Sequence, residues 1–162
     1  LDEIPNPKKF SNFSEKMKYA FFEQDFFNYK FNILNKTQPK WYGSRICVKK
    51  FLKSPQWLRN IKIKKRNFFK RIFFKKNYYI IKDGGWHFSN IKTPIEIIKK
   101  INSFCHGEFN KEKFKNENQI RKKIDKLQDI FDRDLNYQIV TIDNKFPNYL
   151  IKNIKIYKDW IA

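Results

Sequence analysis

Three short stretches hold the residue types that chemistry requires. The chain opens "LDEIPNP", where Asp2 and Glu3 stand against Pro5 and Pro7. Proline fixes its own φ, and rigidly held carboxylates are what a hard divalent cation asks for. On those two acids alone, a solvated acidic loop with no chemistry is the better account of the stretch. The second stretch is "DGGWHFS", Asp83 to Ser89. Gly84 and Gly85 permit positive φ and a close approach of backbone to a ligand. Trp86 offers a flat face on which a sugar or base can stack, and His87 can donate a hydrogen bond or ligate a metal. Neighbours on a strand point to opposite sides, so only one of the two need face a site. A tight turn with a core Trp and a satisfied His fits the same letters. The third stretch, "SFCHGEFN", sets His106 and Glu108 around Gly107. Gly107 suits a helix C-terminal cap, and a Glu beside a His at a helix end can serve as a general base. Both histidines of the chain fall in these motifs, which favours one shared pocket.

The elements that must position these residues follow from pattern. Residues 1–13 read as a Pro/Asn/Ser loop, after which Ser14 caps a short helix. "YAFFEQDFFNYKFNIL", Tyr19 to Leu34, is rich in aromatics with partial alternation and predicts one or two strands. "NKTQPKWYGS" is a loop and "RICVKKFL" a strand. Ser54-Pro55 starts a helix over "SPQWLRNIKI". A strand, Tyr78–Ile81, runs up to the double glycine. Thr93-Pro94 opens a helix whose Ile97, Ile98 and Ile101 share one face. A further helix covers "NENQIRKKIDKLQDIF", with Ile120, Ile124, Leu127 and Phe131 aligned. "YQIVTID" is a late strand, and "FPNYLIKNIKIYKDWI" closes with a short helix or turn. Strands and helices intermix without a strict repeat, so the fold class is α/β with a mixed sheet.

Bulk properties narrow the field. A chain of 162 residues, 41% hydrophobic and 19% aromatic, has enough apolar material for a packed core and is not disordered. No run approaches the roughly 20 apolar residues of a membrane span, and no signal-peptide pattern is visible. The formal net charge is +20, which invites a nucleic-acid reading. Only Arg45, Arg59, Arg66, Arg71, Arg121 and Arg133 are arginines among the 36 basic residues, whereas base and phosphate readers favour Arg. Lys is enriched together with Asn, Ile, Phe and Tyr, all encoded by A/T-rich codons, so most of the charge is a surface coat. Residues 59–76 carry nine Lys or Arg, interleaved with Phe68, Phe69, Phe73 and Phe74. That segment holds no carboxylate and no His; it can draw anions, an anionic membrane surface among them, but cannot do acid–base work. Cys47 and Cys105 fit no metal or redox spacing and read as free thiols.

Taken together and in order, "LDEIPNP", "DGGWHFS", "SFCHGEFN" and "VTIDNKFPNYLIKN" resemble glycosyltransferase family 17, the β-1,4-mannosyl-glycoprotein 4-β-N-acetylglucosaminyltransferases. A eukaryotic member adds the bisecting N-acetylglucosamine to N-glycan cores. The likeness spans essentially the whole chain, and the "DEIP" loop and "GWH" are its most specific pieces. It implies that the acidic loop belongs to an Asp-x-Asp-Glu-Ile-Pro signature with Leu1 in the middle position. Asp2 is then the second Asp, and residues 1–162 form the C-terminal part of a single GT-A-like domain whose nucleotide-binding part precedes Leu1. The "NIKTP" after "WHFS" departs from the glycines found in many relatives.

The resemblance implies transfer of N-acetylglucosamine or a similar hexosamine from a UDP-sugar to a glycan hydroxyl, by metal-assisted single displacement. Asp2 and Glu3 would hold manganese or magnesium. Glu108, with Asp83 next, would take the acceptor proton, and His87 would contact phosphate or acceptor. Trp86, Gly84, Gly85, Ser89 and His106 would line the substrate site. The partners are a UDP-sugar and a glycan acceptor, with no nucleic acid; the location is cytoplasmic or peripheral to a membrane, or the Golgi lumen for a eukaryotic chain. The rival readings are a basic–aromatic nucleic-acid-binding module built on 59–76, and a catalytically silent glycan-binding relative.

Overall fold

The computed structural model describes residues 2–63, 78–103 and 110–162. His106, Glu108, Cys105 and most of the basic segment, 64–76, lie outside them. Among the described residues there are seven strands: β1 (Glu3–Pro5), β2 (Tyr19–Asn28), β3 (Ile33–Asn35), β4 (Lys40–Trp41), β5 (Arg45–Cys47), β6 (Tyr79–Ser89) and β7 (Tyr137–Ile139). The α-helices are α1 (Pro55–Asn60), α2 (Pro94–Ser103), α3 (Glu117–Asp125) and α4 (Asn148–Lys152). The sheet order is β1-β6-β2-β3-β7, with β4 and β5 also paired to β2. No described helix is long and apolar enough to cross a membrane.

The sheet is mixed. β5 runs antiparallel to β2, with Tyr19 opposite Cys47 and Phe21 opposite Arg45, and β7 runs antiparallel to β3. Between β6 and β2 the residue numbers rise together. Phe26 meets His87 with ring centroids 4.7 Å apart, Phe27 stacks on Phe88 at 5.4 Å, and the Tyr29 amide donates to the Ser89 carbonyl at 3.0 Å. That progression makes β2 and β6 a parallel pair.

Two compact units divide the chain. The first, Glu3–Gln24 and Lys40–Trp86, packs Ala20, Phe22 and Ile81 as its core, with Phe13 and Ile46 against them. Its helix α1 begins as the Ser-Pro signal requires: the Ser54 hydroxyl accepts from the Trp57 amide at 3.0 Å. Trp57 then packs edge-on to Tyr19. After Ser14 there is a turn rather than a helix. The Ser14 hydroxyl accepts from the Lys16 amide and its carbonyl from the Met17 amide, a local closure that competes with helix growth. The "RICVKKFL" strand is also shorter than its letters, giving way at Lys49–Phe51 to a 3-10 turn.

The second unit comprises Asp2, Asp25–Pro39 and His87–Ala162. Its core joins Tyr29, Ile33, Ile97, Ile101, Phe114, Ile120, Ile130 and Tyr137. Helix α2 starts in a reciprocal capping box. The Glu96 amide donates to the Thr93 hydroxyl, and the Thr93 amide donates back to the Glu96 carboxylate at 2.8 Å. Helix α3 ends two turns earlier than the Ile120–Phe131 periodicity predicts, because Leu127 turns into positive φ. Leu127 and Phe131 still pack on the core from beyond the helix.

The double glycine does not end a strand. β6 continues through Gly84 and Gly85 to Ser89, and all five residues from Gly84 to Phe88 are buried. Both glycines are there for room. A Cβ on Gly84 would press on the Phe22 Cα of β2; one on Gly85 would strike the Ile4 carbonyl of β1, and Gly85 sits at φ 138°. Asp83, at φ 51°, makes the bend that precedes them. Two strands therefore close on β6 from either side at a point where only backbone fits.

Candidate functional site

The sequence motifs fall at two kinds of place. The "GGWHFS" residues form the interior of β6. Trp86 is 8% exposed and its carbonyl accepts from the Gln24 side-chain amide; His87 is 7% exposed, edge-on to Phe26. Ser89 is half-buried, and its carbonyl is used by Tyr29. Asp83 alone of this stretch combines an exposed position with an ionisable group, and the Asn6 side chain reaches its carbonyl at 3.5 Å. A flat Trp86 face open to a sugar is therefore not what these residues present; the ring belongs to the packed sheet.

The acidic loop is a strand, and it lies alongside β6. In the first unit the Asn6 amide donates to the Gly84 carbonyl at 2.7 Å; in the second the Phe88 amide donates to the Asp2 carbonyl at 2.7 Å. Asp2 is exposed. Glu3 is half-buried and each of its carboxylate oxygens accepts one hydrogen bond: Oε1 from Trp41 Nε1 and Oε2 from the Ser44 hydroxyl, both at 2.8 Å. Among the described residues, no three His, Cys, Asp or Glu side chains stand close enough to share an ion. For a divalent metal, Asp2 and Glu3 are the carboxylate donors of this stretch, Glu3 already holding the indole and the hydroxyl.

Around Glu3 the first unit opens a cleft of about 480 Å³, lined by Glu3, Trp41, Gly43, Arg45, Pro55, Leu58 and Arg59. Its main contributor is "KWYGSR", whose first five letters read as connecting loop and whose Arg45 opens a predicted strand; Lys40–Trp41 in fact form β4 and Arg45 begins β5. In the structure that loop is bonded to two carboxylates, since Tyr42 also donates to Glu23 at 2.8 Å. Burial, with that hydrogen bond and the charge of Glu23 adding to it, pushes the Tyr42 hydroxyl up to about 12, so it stays a donor. Gly43 leaves space beside Glu3 that no Cβ could share. Arg45 is half-buried over the Phe21 ring, its centre 5.1 Å from the centroid, and donates to the Ile61 carbonyl at 3.2 Å. Burial lowers its pKa; Glu3 counteracts this and Arg59 adds to it. Arg59 is exposed at the end of α1, and among the described residues neither guanidinium has an ion-pair partner. The signal for this site was present in the choice of arginine over lysine at 45 and 59 in a lysine-rich chain.

A second polar cluster is closed. Asp129, 4% exposed, receives the Tyr29 and Tyr137 hydroxyls and a two-pronged hydrogen bond from Arg133 at 2.9 and 2.7 Å. Every acceptor lobe is used within the fold, so this cluster ties Tyr29, just past β2, and β7 to the turn after α3 and offers nothing to a ligand. With fold and site described, comparison gives no further guide: no family model, no curated protein and no solved structure matches the chain.

Proposed function

We propose that the chain is part of a nucleotide-sugar-dependent glycosyltransferase of GT-A-like fold, transferring N-acetylglucosamine or a similar hexosamine from a UDP-sugar to a glycan hydroxyl. One observation carries this reading. The two most specific stretches of the family resemblance, "DEIP" and "GGWHFS", are 80 residues apart in the chain yet lie as neighbouring strands, joined at Asn6 to Gly84 and at Phe88 to Asp2. Gly85 leaves the room that neighbourhood needs, since a Cβ there would strike the Ile4 carbonyl. A pairing of this kind explains why one chain would carry both stretches, which a basic nucleic-acid module would not need.

Under this reading each described residue has a definite task. Asp2, exposed just before β1, would hold a divalent ion; when bound, such an ion neutralises a diphosphate leaving group. Glu108, outside the described residues, or else the exposed Asp83 would accept the proton of an attacking hydroxyl. Trp86 and His87 keep β6 in place between β1 and β2, and so support the site without touching substrate. Glu3 and its cleft hold saccharide hydroxyls.

The test is UDP release from UDP-N-acetylglucosamine by the protein as its gene encodes it, with manganese and with chelator. Metal-dependent release that Asp2→Asn abolishes, without loss of melting temperature, is the expected result. No UDP release from any nucleotide sugar under either condition would overturn the proposal.

A further inference from the structure

We infer that the cleft between Glu3, Trp41, Arg45 and Arg59 binds one anionic sugar unit, and that its chemistry selects a hexuronate. The argument starts from signs. The lining carries one carboxylate and two guanidiniums, a mixture that suits a ligand with a single negative charge and several hydroxyls. Two cations held near one another without an ion-pair partner among the described residues favour an anion between them, and a planar guanidinium matches a carboxylate in two parallel hydrogen bonds. Arg45 is already oriented by Phe21 and the Ile61 carbonyl, so little side-chain freedom is lost when it binds.

Glu3 decides between anions. Its oxygens are fixed by neutral donors, Trp41 and Ser44, rather than by the arginines, so its negative charge remains in the cleft. A doubly charged phosphate would be repelled by it, whereas a sugar hydroxyl can donate to the lone pairs those bonds leave over. Trp41, 38% exposed, presents an indole for the C–H face of a pyranose ring, and Leu58 extends that apolar wall. Carboxylate, hydroxyls and a ring with an apolar face belong together in a uronic acid residue.

This inference names the acceptor class for the transferase reading and rests on that reading only for the word acceptor; the binding itself does not. Three titrations by calorimetry on the full chain test it: a glucuronic acid-terminated disaccharide, its glucose-terminated counterpart, and inorganic phosphate. The expected result is binding of the uronate about tenfold or more tighter than the neutral sugar, as suits hydrogen bonds to a charged group, with Arg59→Gln removing the difference. Arg59 is exposed, so that variant keeps its fold, which the melting temperature checks. Trp41→Ala is expected to weaken both sugars. Absence of uronate binding, equal affinity for the two disaccharides, or phosphate binding as tight as the uronate would each overturn it. A protein that binds the uronate but releases no UDP would retain the cleft assignment and lose the transferase reading.

Discussion

The Trp41 indole N–H and the Glu3 carboxylate meet at 2.8 Å across 38 residues of sequence. The bond fixes β1 to the two-residue strand β4, and it gives a half-buried acid a neutral partner. Glu3 is thereby held in a cleft that is also lined by two arginines. Gly43 sits where this contact is tightest, and that placement makes the arrangement testable.

Gly43→Ala is expected to open the contact rather than unfold the unit. A Cβ there would overlap the Glu3 carboxylate and the Trp41 indole, both of them side-chain ends that can swing away. Loss of one hydrogen bond to a charged group costs about 1.5–3 kcal/mol at most, and exposure of the site reduces that further. Thermal unfolding should change by only a few degrees, while tryptophan fluorescence shifts and sugar affinity falls. A large drop in melting temperature with unchanged fluorescence would contradict this account.

Gly85→Ala should behave in the opposite way. Here the obstacle is backbone, the Ile4 carbonyl and the Asn6 amide, and φ of 138° is itself unfavourable for any side chain. Strain at such a residue costs about 1–3 kcal/mol before any clash is counted. Chemical denaturation should show a loss of at least that size, and hydrogen exchange at the amides of Asn6 and Phe88 should accelerate because β1 can no longer sit beside β6. Near-native stability would mean that β1 does not approach β6 as closely as the structure has it.

The places where sequence reading succeeded and failed divide along one line. Helices α1 and α2 were legible because their signals are local: Ser54 before Pro55, and Thr93 before Pro94 with Ile97 and Ile101 three and seven residues on. The alternation around Phe21 and Phe22 likewise revealed β2. The double glycine was misread as the end of a strand, since a Gly pair usually punctuates. Its real cause is contact with Phe22 and Ile4, both more than 60 residues away, and no local pattern records that. Trp86 and His87 looked like site residues for the same reason. The cleft escaped notice because Glu3 and the "KWYGSR" loop are far apart in sequence, and neither is unusual alone.

Trp86→Ala then becomes a stability experiment. With the ring buried in β6, truncation should cost about 3–5 kcal/mol. His87→Ala, edge-on to Phe26, should cost less. Where folded protein can still be recovered by lowering the temperature, its sugar affinity should match the parent. Parent-like stability with abolished sugar binding would return Trp86 to the ligand.

The Asp129 cluster predicts how the second unit responds to acid. Burial alone would raise the Asp129 pKa, but the hydrogen bonds and charge of Arg133, with the Tyr137 hydroxyl, outweigh it and leave the carboxyl below its usual value of 3.8. A group depressed in the folded state stabilises above its unfolded pKa, and that stabilisation disappears as pH falls through the folded value. Stability should therefore be flat from neutral pH down to about 5 as far as this group is concerned, then decline below 4. Asp129→Asn keeps the shape but removes the charge that Arg133 faces, and its NH2 would stand where Oδ2 accepts from the Phe131 amide, the Arg133 amide and Arg133 Nε. Breaking a buried pair from one side costs about 3–5 kcal/mol; with Arg133 side chain 46% exposed, solvent should hold the loss to about 2–3 kcal/mol. The variant's urea midpoint should be lower at pH 7, and its further decline between pH 5 and pH 2 shallower than the parent's. A variant as acid-sensitive as the parent would assign the acid response to other carboxylates and leave Asp129 with a role in packing alone.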